Sequence, residues 1–222
     1  MPPPGFQGLR DDLPLIMYFR HLPHWRQPGA TYFVTFRLED SLPQSKLREL
    51  AAWREEWQRR NPSPRSESAW EGLAREVMKR VEGWLDQGMG SCVLRDPENA
   101  AIITDSMHHF DGQRYELASY IVMPNHTHLV IRPFDADEHS LEAILQSWKQ
   151  FTATRLNKRL GRRGTLWQQE SFDRIVRDEE HLFRCIQYIG SNAANAKLAT
   201  HDCPRWIRPE WESLGWKFAC DK

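Results

Sequence analysis

The run Tyr120-Ile121-Val122-Met123-Pro124-Asn125-His126-Thr127-His128-Leu129-Val130-Ile131 is apolar on both sides of one turn signal, Pro124-Asn125. Such a pattern folds as a hairpin, with a strand over 114–123 and a second over 126–132, so part of the molecule is an antiparallel sheet. Strand side chains alternate faces, which sends His126 and His128 one way and Thr127 the other. Two imidazoles on one sheet face make a ready pair of metal ligands. Strand histidines that serve only local hydrogen bonds fit the same short pattern.

With 222 residues, 40% hydrophobic composition and ten tryptophans, the chain can bury a sizeable core as one large domain with appendages. No stretch approaches the roughly 18 apolar residues of a membrane span. The opening Met1-Pro2-Pro3-Pro4-Gly5-Phe6 is proline-rich and lacks the basic-then-apolar pattern of a secretory leader. Cys92, Cys185, Cys203 and Cys220 are scattered with no C-x-x-C pair, which argues against a zinc ribbon or a dithiol redox motif. Reduced thiols and a cytoplasmic location are the expectation.

A net charge of zero hides an uneven distribution. From 149 to 177, Lys149, Arg155, Lys158, Arg159, Arg162, Arg163, Arg174 and Arg177 face only Glu170 and Asp173. That surplus suits a phosphate backbone, although a solvated helix face has the same composition. Trp148, Phe151, Trp167 and Phe172 lie among these charges and could stack on unpaired bases or fill the core.

Along the chain, 1–29 reads as irregular and 30–38 as a strand, with Tyr32, Val34 and Phe36 on one face and Thr31, Phe33, Thr35 and Arg37 on the other. Helices are expected over 44–60 and 66–87. The second carries Trp70, Leu73, Val77, Val81, Trp84 and Leu85 at helical spacing and reads as packing surface. A short helix follows from Asp96 to about Phe110. Beyond the hairpin, Ser140 caps a helix reaching about Leu160, 171–176 is a strand, and Asp178 opens a helix over 179–194. The order matches an α+β fold: a ferredoxin-like split β-α-β core, an antiparallel sheet with helices on one face. The expected organisation is an N-terminal segment 1–29, a catalytic domain 30–199 with a helical insertion over about 44–110, and an irregular tail 200–222.

On the helix 179–194, Tyr188 and Asn192 are four apart and share a face. A hydroxyl and an amide stacked this way could serve one site, the first attacking phosphorus and the second binding a hard cation. A half-buried tyrosine and an asparagine favouring helix termination fit the same spacing.

Four motifs occur in one order: Met123-Pro124-Asn125-His126-Thr127-His128-Leu129-Val130-Ile131, Ser147-Trp148-Lys149-Gln150-Phe151-Thr152-Ala153, the segment 166–177 from Leu166-Trp167 to Val176-Arg177, and Tyr188-Ile189 followed by Asn192. Together they resemble the REP-associated tyrosine transposases, bacterial relatives of the single-tyrosine transposases with a His-hydrophobic-His motif. The resemblance spans about 30–200. It implies a ferredoxin-like core, with His126 and His128 as ligands of Mg²⁺ or Mn²⁺, Asn192 as a third ligand and Tyr188 as the nucleophile. Two departures stand out: Thr127 replaces a bulky apolar residue, and the proline that follows the asparagine in the family is Ala193 here. Without that helix stop, the helix could run on and tilt Asn192.

The resemblance further implies cleavage and rejoining of single-stranded DNA beside hairpin-forming repeats through a 5′-phosphotyrosine. Lys149, Arg174 and Arg177 are candidates for phosphate contacts, and Trp167 and Phe172 for base stacking. A nucleoid-associated DNA substrate is expected, with a monomer favoured slightly over a homodimer. Three other readings stay open at this point: a DNA-binding protein on the same scaffold with little cleavage activity, a metal phosphoesterase using water, and an RNA-binding module. Affinity alone would also admit Zn²⁺ at a histidine pair.

Overall fold

The computed structural model describes residues 1–20, 23–135 and 138–219. Its elements are β1 (Ile16–Phe19), β2 (Pro23–Arg26), β3 (Tyr32–Arg37), α1 (Gln44–Arg60), α2 (Glu67–Leu85), α3 (Pro97–His108), β4 (Tyr115–Val122), β5 (His126–Pro133), α4 (Leu141–Arg159), β6 (Phe172–Ile175), α5 (Glu179–Asn195), β7 (Arg205–Ile207) and α6 (Pro209–Ser213). Four of the helices begin on a capping side chain. Ser66, Asp96, Ser140 and Asp178 accept from the backbone N–H of Ala69, Glu98, Ala143 and His181 respectively. Each cap satisfies one of the amides a helix start leaves open.

The fold is α+β. A five-stranded antiparallel sheet runs in the order β6-β3-β5-β4-β7, beside a two-stranded sheet of β1 and β2. Taken alone, β3, α3, β4, β5, α4 and β6 form the split β-α-β arrangement, with β5 between β3 and β4 at the centre. The helical pair α1–α2 is inserted between β3 and α3. Its own core joins Leu73, Val77, Val81, Trp84 and Leu85 of the expected stripe with Leu42, and the stripe's Trp70 packs against it half-buried.

The sheet is covered on both faces, which corrects the expectation of helices on one. Tyr32, Val34, Phe36, Leu129 and Ile131 pack with Ile103 and Met107 of α3 and with Ile144, Leu145 and Trp148 of α4. On the opposite face Phe33, Ile121 and Val130 pack with Leu182, Cys185, Ile186 and Ile189 of α5. The histidine-bearing face of β5 is therefore the one α5 covers. Full burial of an aliphatic side chain contributes about 1.5–3 kcal/mol, so the α5 stripe fixes which way its remaining faces point.

Two further expectations are corrected. The segment 1–29 contains the β1–β2 hairpin, and the tail contains β7, which extends the sheet at β4, and α6, whose Trp211 is buried in the α5-side core. Cys92, Cys185 and Cys203 are free thiols, while Cys220 lies outside the described residues. Among the described residues no helix is long and apolar enough to cross a membrane.

Candidate active site

His126 and His128 open the central strand, and the register sets their neighbours. Arg37 pairs with His126, and Thr35 and Ile121 flank His128 from the two adjoining strands. Both histidines are buried, at 1% and 0% exposure. The Asn125 amide donates to Leu85 O at 3.3 Å and Met89 O at 3.0 Å, so its oxygen faces His126 Nδ1 at 2.7 Å as an acceptor. His126 Nδ1 must then carry the hydrogen, which leaves Nε2 bare. That bare nitrogen lies 2.9 Å from His128 Nε2, and Thr35 Oγ1 lies 2.7 Å from His128 Nδ1. The threonine hydroxyl can donate to Nδ1 or accept from it. In the accepting orientation both Nε2 atoms are free of hydrogen.

Desolvation holds both imidazoles neutral. Burial, reinforced by the nearby Arg37 charge, pulls His126 down to about 3 against a weaker upward effect of Asn192. Burial, His126 and Arg174 pull His128 well below the ordinary range. A neutral imidazole is a ligand; a protonated one is not.

α5 brings two more side chains to this point. The Tyr188 ring stands edge-on to the His128 ring with centroids 5.1 Å apart, and Phe33 lies 5.6 Å from His128 and 5.8 Å from Tyr188. Asn192, one turn on, is fully buried, and neither its amide nitrogen nor its oxygen has a hydrogen-bond partner. Its amide is close enough to His126 and to the Tyr188 hydroxyl to influence the ionisation of both. Burial, together with the charges of Glu82 and Asp86, raises Tyr188 far above the ordinary phenol range, so its hydroxyl is protonated at neutral pH.

These groups fit a divalent cation. Two nitrogen ligands at about 2.1 Å and a right angle stand roughly 3 Å apart, and the two Nε2 atoms are 2.9 Å apart. An orphaned buried amide costs about 1–3 kcal/mol; a cation would give the Asn192 oxygen its missing partner. Among the described residues no three His, Cys, Asp or Glu side chains cluster as a metal site.

A groove of about 600 Å³ opens on Tyr188 between β2, α2, β6 and α5. Arg75, Arg174, Arg177 and Arg184 line it against Glu71 and Asp173. Of the sequence candidates for DNA contact, Phe172, Arg174 and Arg177 line this groove; Arg174 is exposed with its guanidinium 4.9 Å over the Phe33 ring, and exposed Arg177 pairs with Glu71. Two candidates turn inward and are corrected. Trp167 is 4% exposed, packs on Phe36 and donates to Thr152 Oγ1 at 2.9 Å, so it offers no face to a base. Lys149 donates to Gln168 O, Gln169 O and Ser171 Oγ, and burial lowers it to about 8. It is a tether for the segment before β6.

His126, His128, Tyr188 and Asn192 thus meet at one place, within one chain. The sequence did not single out Glu82 on α2, whose charge helps hold the Tyr188 hydroxyl protonated. It also passed over Asn125, although its position next to His126 was a signal, and Arg37, a buried guanidinium whose Nε lacks a partner beside His126.

No family model and no curated protein matches the chain. One solved structure, a REP-associated tyrosine transposase bound to a REP hairpin, is 14% identical with a TM-score of 0.39, covering 82% of this chain and 74% of its own. A likeness this loose transfers neither site nor activity.

Proposed function

We propose that this chain is a metal-dependent transposase-like enzyme that cleaves and rejoins single-stranded DNA beside hairpin-forming repeats, with Tyr188 as the nucleophile. The observation that carries the reading is the edge-on approach of the Tyr188 ring to His128, over a histidine pair spaced for one cation. The four motifs shared with the REP-associated tyrosine transposases supply the reaction class and the choice of a hairpin-bearing DNA.

The Tyr188 oxygen attacks phosphorus in line, the P–O3′ bond breaks, and the 5′ side of the DNA stays on the phenol as a phosphotyrosine. No bond energy is lost to water, so a 3′-hydroxyl can reverse the step and rejoin strands without a nucleotide cofactor. His126, His128 and Asn192 would hold Mg²⁺ or Mn²⁺. When bound, the cation supplies positive charge to the non-bridging phosphate oxygens. Phe33 walls the site with apolar surface, which strengthens each charge interaction inside it. Arg174, at the mouth of the groove, is placed to hold an incoming phosphate.

Incubation with a hairpin-bearing oligonucleotide and Mn²⁺ should give a protein–DNA adduct that survives denaturing electrophoresis, and Tyr188→Phe should remove it completely. Strand cleavage that persists in Tyr188→Phe would mean a water nucleophile. Tight DNA binding with no adduct in the unmodified protein would mean a binding protein on this scaffold.

A further inference from the structure

We propose that Arg37 is a further catalytic residue, whose guanidinium binds a non-bridging oxygen of the scissile phosphate at the end of the site remote from Arg174; this deepens the strand-transfer reading above and rests on it. The strand register carries the placement. Phe33, Thr35 and Arg37 share one face of β3, the face that enters the α5-side core at Phe33. Across that face Arg174 of β6 pairs with Phe33, His128 of β5 with Thr35, and His126 with Arg37. Arg37 therefore stands directly beside His126 on the neighbouring strand. Arg174 lies one step beyond His128, at the other end of the same face. The histidine pair is flanked along the sheet by two arginines, only one of which was legible as a phosphate contact from the sequence.

The hydrogen bonds of Arg37 leave room for an anion. The residue is 6% exposed. Nη1 donates to Ser41 Oγ at 2.9 Å and to Leu38 O at 3.5 Å, and the Ser41 hydroxyl donates in turn to Leu38 O at 2.7 Å. Both acceptors are neutral, and Nε has no partner. Arg80 and Arg132 also have an orphaned Nε, but Arg132 pairs with Glu116 and Arg80 lies over the Trp53 ring. Among the described residues Arg37 has neither outlet. A buried cation without an anionic partner is costly, and one beside a divalent ion is repelled unless negative charge lies between them. A phosphate removes both costs: one oxygen accepts from Nε while another meets the cation that His126 and His128 would hold. The planar fork of arginine suits this contact, and Ser41 fixes its rotation by holding Nη1. In the step itself the Tyr188 oxygen–phosphorus bond forms and the P–O3′ bond breaks. The phenol proton passes to water, and the departing 3′ oxygen takes one from water. Arg37 exchanges no proton; it offsets the charge that builds on the non-bridging oxygens.

Hairpin oligonucleotides with a methylphosphonate at the scissile position test this, because each stereoisomer replaces one non-bridging oxygen by a methyl group. The readout is single-turnover adduct formation with Mn²⁺ at saturating oligonucleotide. With the ordinary oligonucleotide Arg37→Gln should slow the step by about 100-fold or more, and Arg37→Lys should recover part of the rate. One stereoisomer should be slow with the unmodified protein yet no slower than the ordinary oligonucleotide, within about threefold, with Arg37→Gln, since the contact it removes is already gone. An arginine that only supports the fold gives no such coupling. Both stereoisomers would then slow the two proteins by equal factors, which overturns the inference, as does an Arg37→Gln rate within about threefold of the unmodified protein on the ordinary oligonucleotide. Should Arg37→Gln fail to fold by circular dichroism, Arg37→Lys carries the same comparison. If the unmodified protein makes no adduct with the ordinary oligonucleotide, the strand-transfer reading falls and this one with it; an adduct with uncoupled effects sinks this inference alone.

Discussion

At the scale of single residues, the proposed metal site depends on hydrogen bonds made behind its ligands. Asn125 settles which nitrogen of His126 is bare, and Thr35 engages His128 Nδ1 from the neighbouring strand. Outer partners of this kind typically change metal affinity 10–100-fold. Thr35→Val keeps the volume and removes the hydroxyl, so Mn²⁺ affinity measured by calorimetry should fall by about 10-fold or more. The same change strands a buried ring nitrogen and should cost about 1–3 kcal/mol of stability. Unchanged Mn²⁺ affinity in a folded Thr35→Val protein would remove the histidine pair from the metal. Strand alternation alone placed Thr35 and Phe33 together on one face of β3, and the same period placed His126 with His128. Which of β3's faces the histidines share depends on the pairing register, a long-range fact that alternation within one strand does not carry. The inward turn of Lys149 and Trp167 was hidden for a similar reason: composition records that a side chain can meet a phosphate or a base, while its exposure is set by segments distant in sequence.

Among the elements, α5 matters most, because it carries both Tyr188 and Asn192. The sequence lacks the proline expected after Asn192, yet the helix still ends at Asn195. Lys197 takes the left-handed conformation at φ 57°, and the Leu198 and Lys197 amides donate back to Ala193 O at 2.9 Å and Ala194 O at 3.0 Å. Leu198 then packs on the same cluster as Ala193, which completes a Schellman ending. This stop was not legible because lysine is a poor marker of a left-handed position; glycine or asparagine would have announced it. Lys197→Val should lose about 1–2 kcal/mol relative to Lys197→Gly, since a β-branched side chain resists the left-handed region. Denaturant unfolding of the two variants measures the difference, and equal midpoints would mean that α5 ends elsewhere in solution. The helix stripes of α2, α4 and α5 were readable because each is decided by local period. That a charge on α2, Glu82, bears on Tyr188 was not, because the packing stripe of α2 carried no chemical signal.

On the scale of the whole molecule, the N-terminal hairpin is fastened to the five-stranded sheet by charge rather than by apolar packing alone. His24 sits between Asp173 at 2.7 Å and Glu170 at 3.0 Å, and Arg26 pairs with Asp173 and Glu142. A proline-rich segment gave no local hint of a strand pair, since the partners that hold it lie on β6 and α4. The consequence is a pH-dependent latch beside the groove, where Pro23, His24 and Trp25 form part of the wall. Burial would depress His24, but the hydrogen bonds its ring donates to Asp173 and Glu170 outweigh it and raise His24 to about 9. A histidine with a folded value above its unfolded one stabilises fully below the unfolded value, about 6.5, and loses that contribution as the pH climbs through the folded one. Asp173 works from the other side: burial would raise it, yet His24 and Arg26 lower it, so its contribution is lost only as the pH drops well into the acid range. The hairpin should therefore hold best from mildly acidic to neutral pH and loosen between about pH 7 and 10, faster than the rest of the fold. Amide exchange over β1 and β2 across that range should show protection falling there while β4 and β5 stay protected. In His24→Gln the dependence should flatten, because glutamine can bond the carboxylates but has no proton to lose. If protection over β1 and β2 ignores pH in the unmodified protein, or if His24→Gln keeps the full slope, another group controls the hairpin and the groove wall beside Tyr188 is not pH-gated.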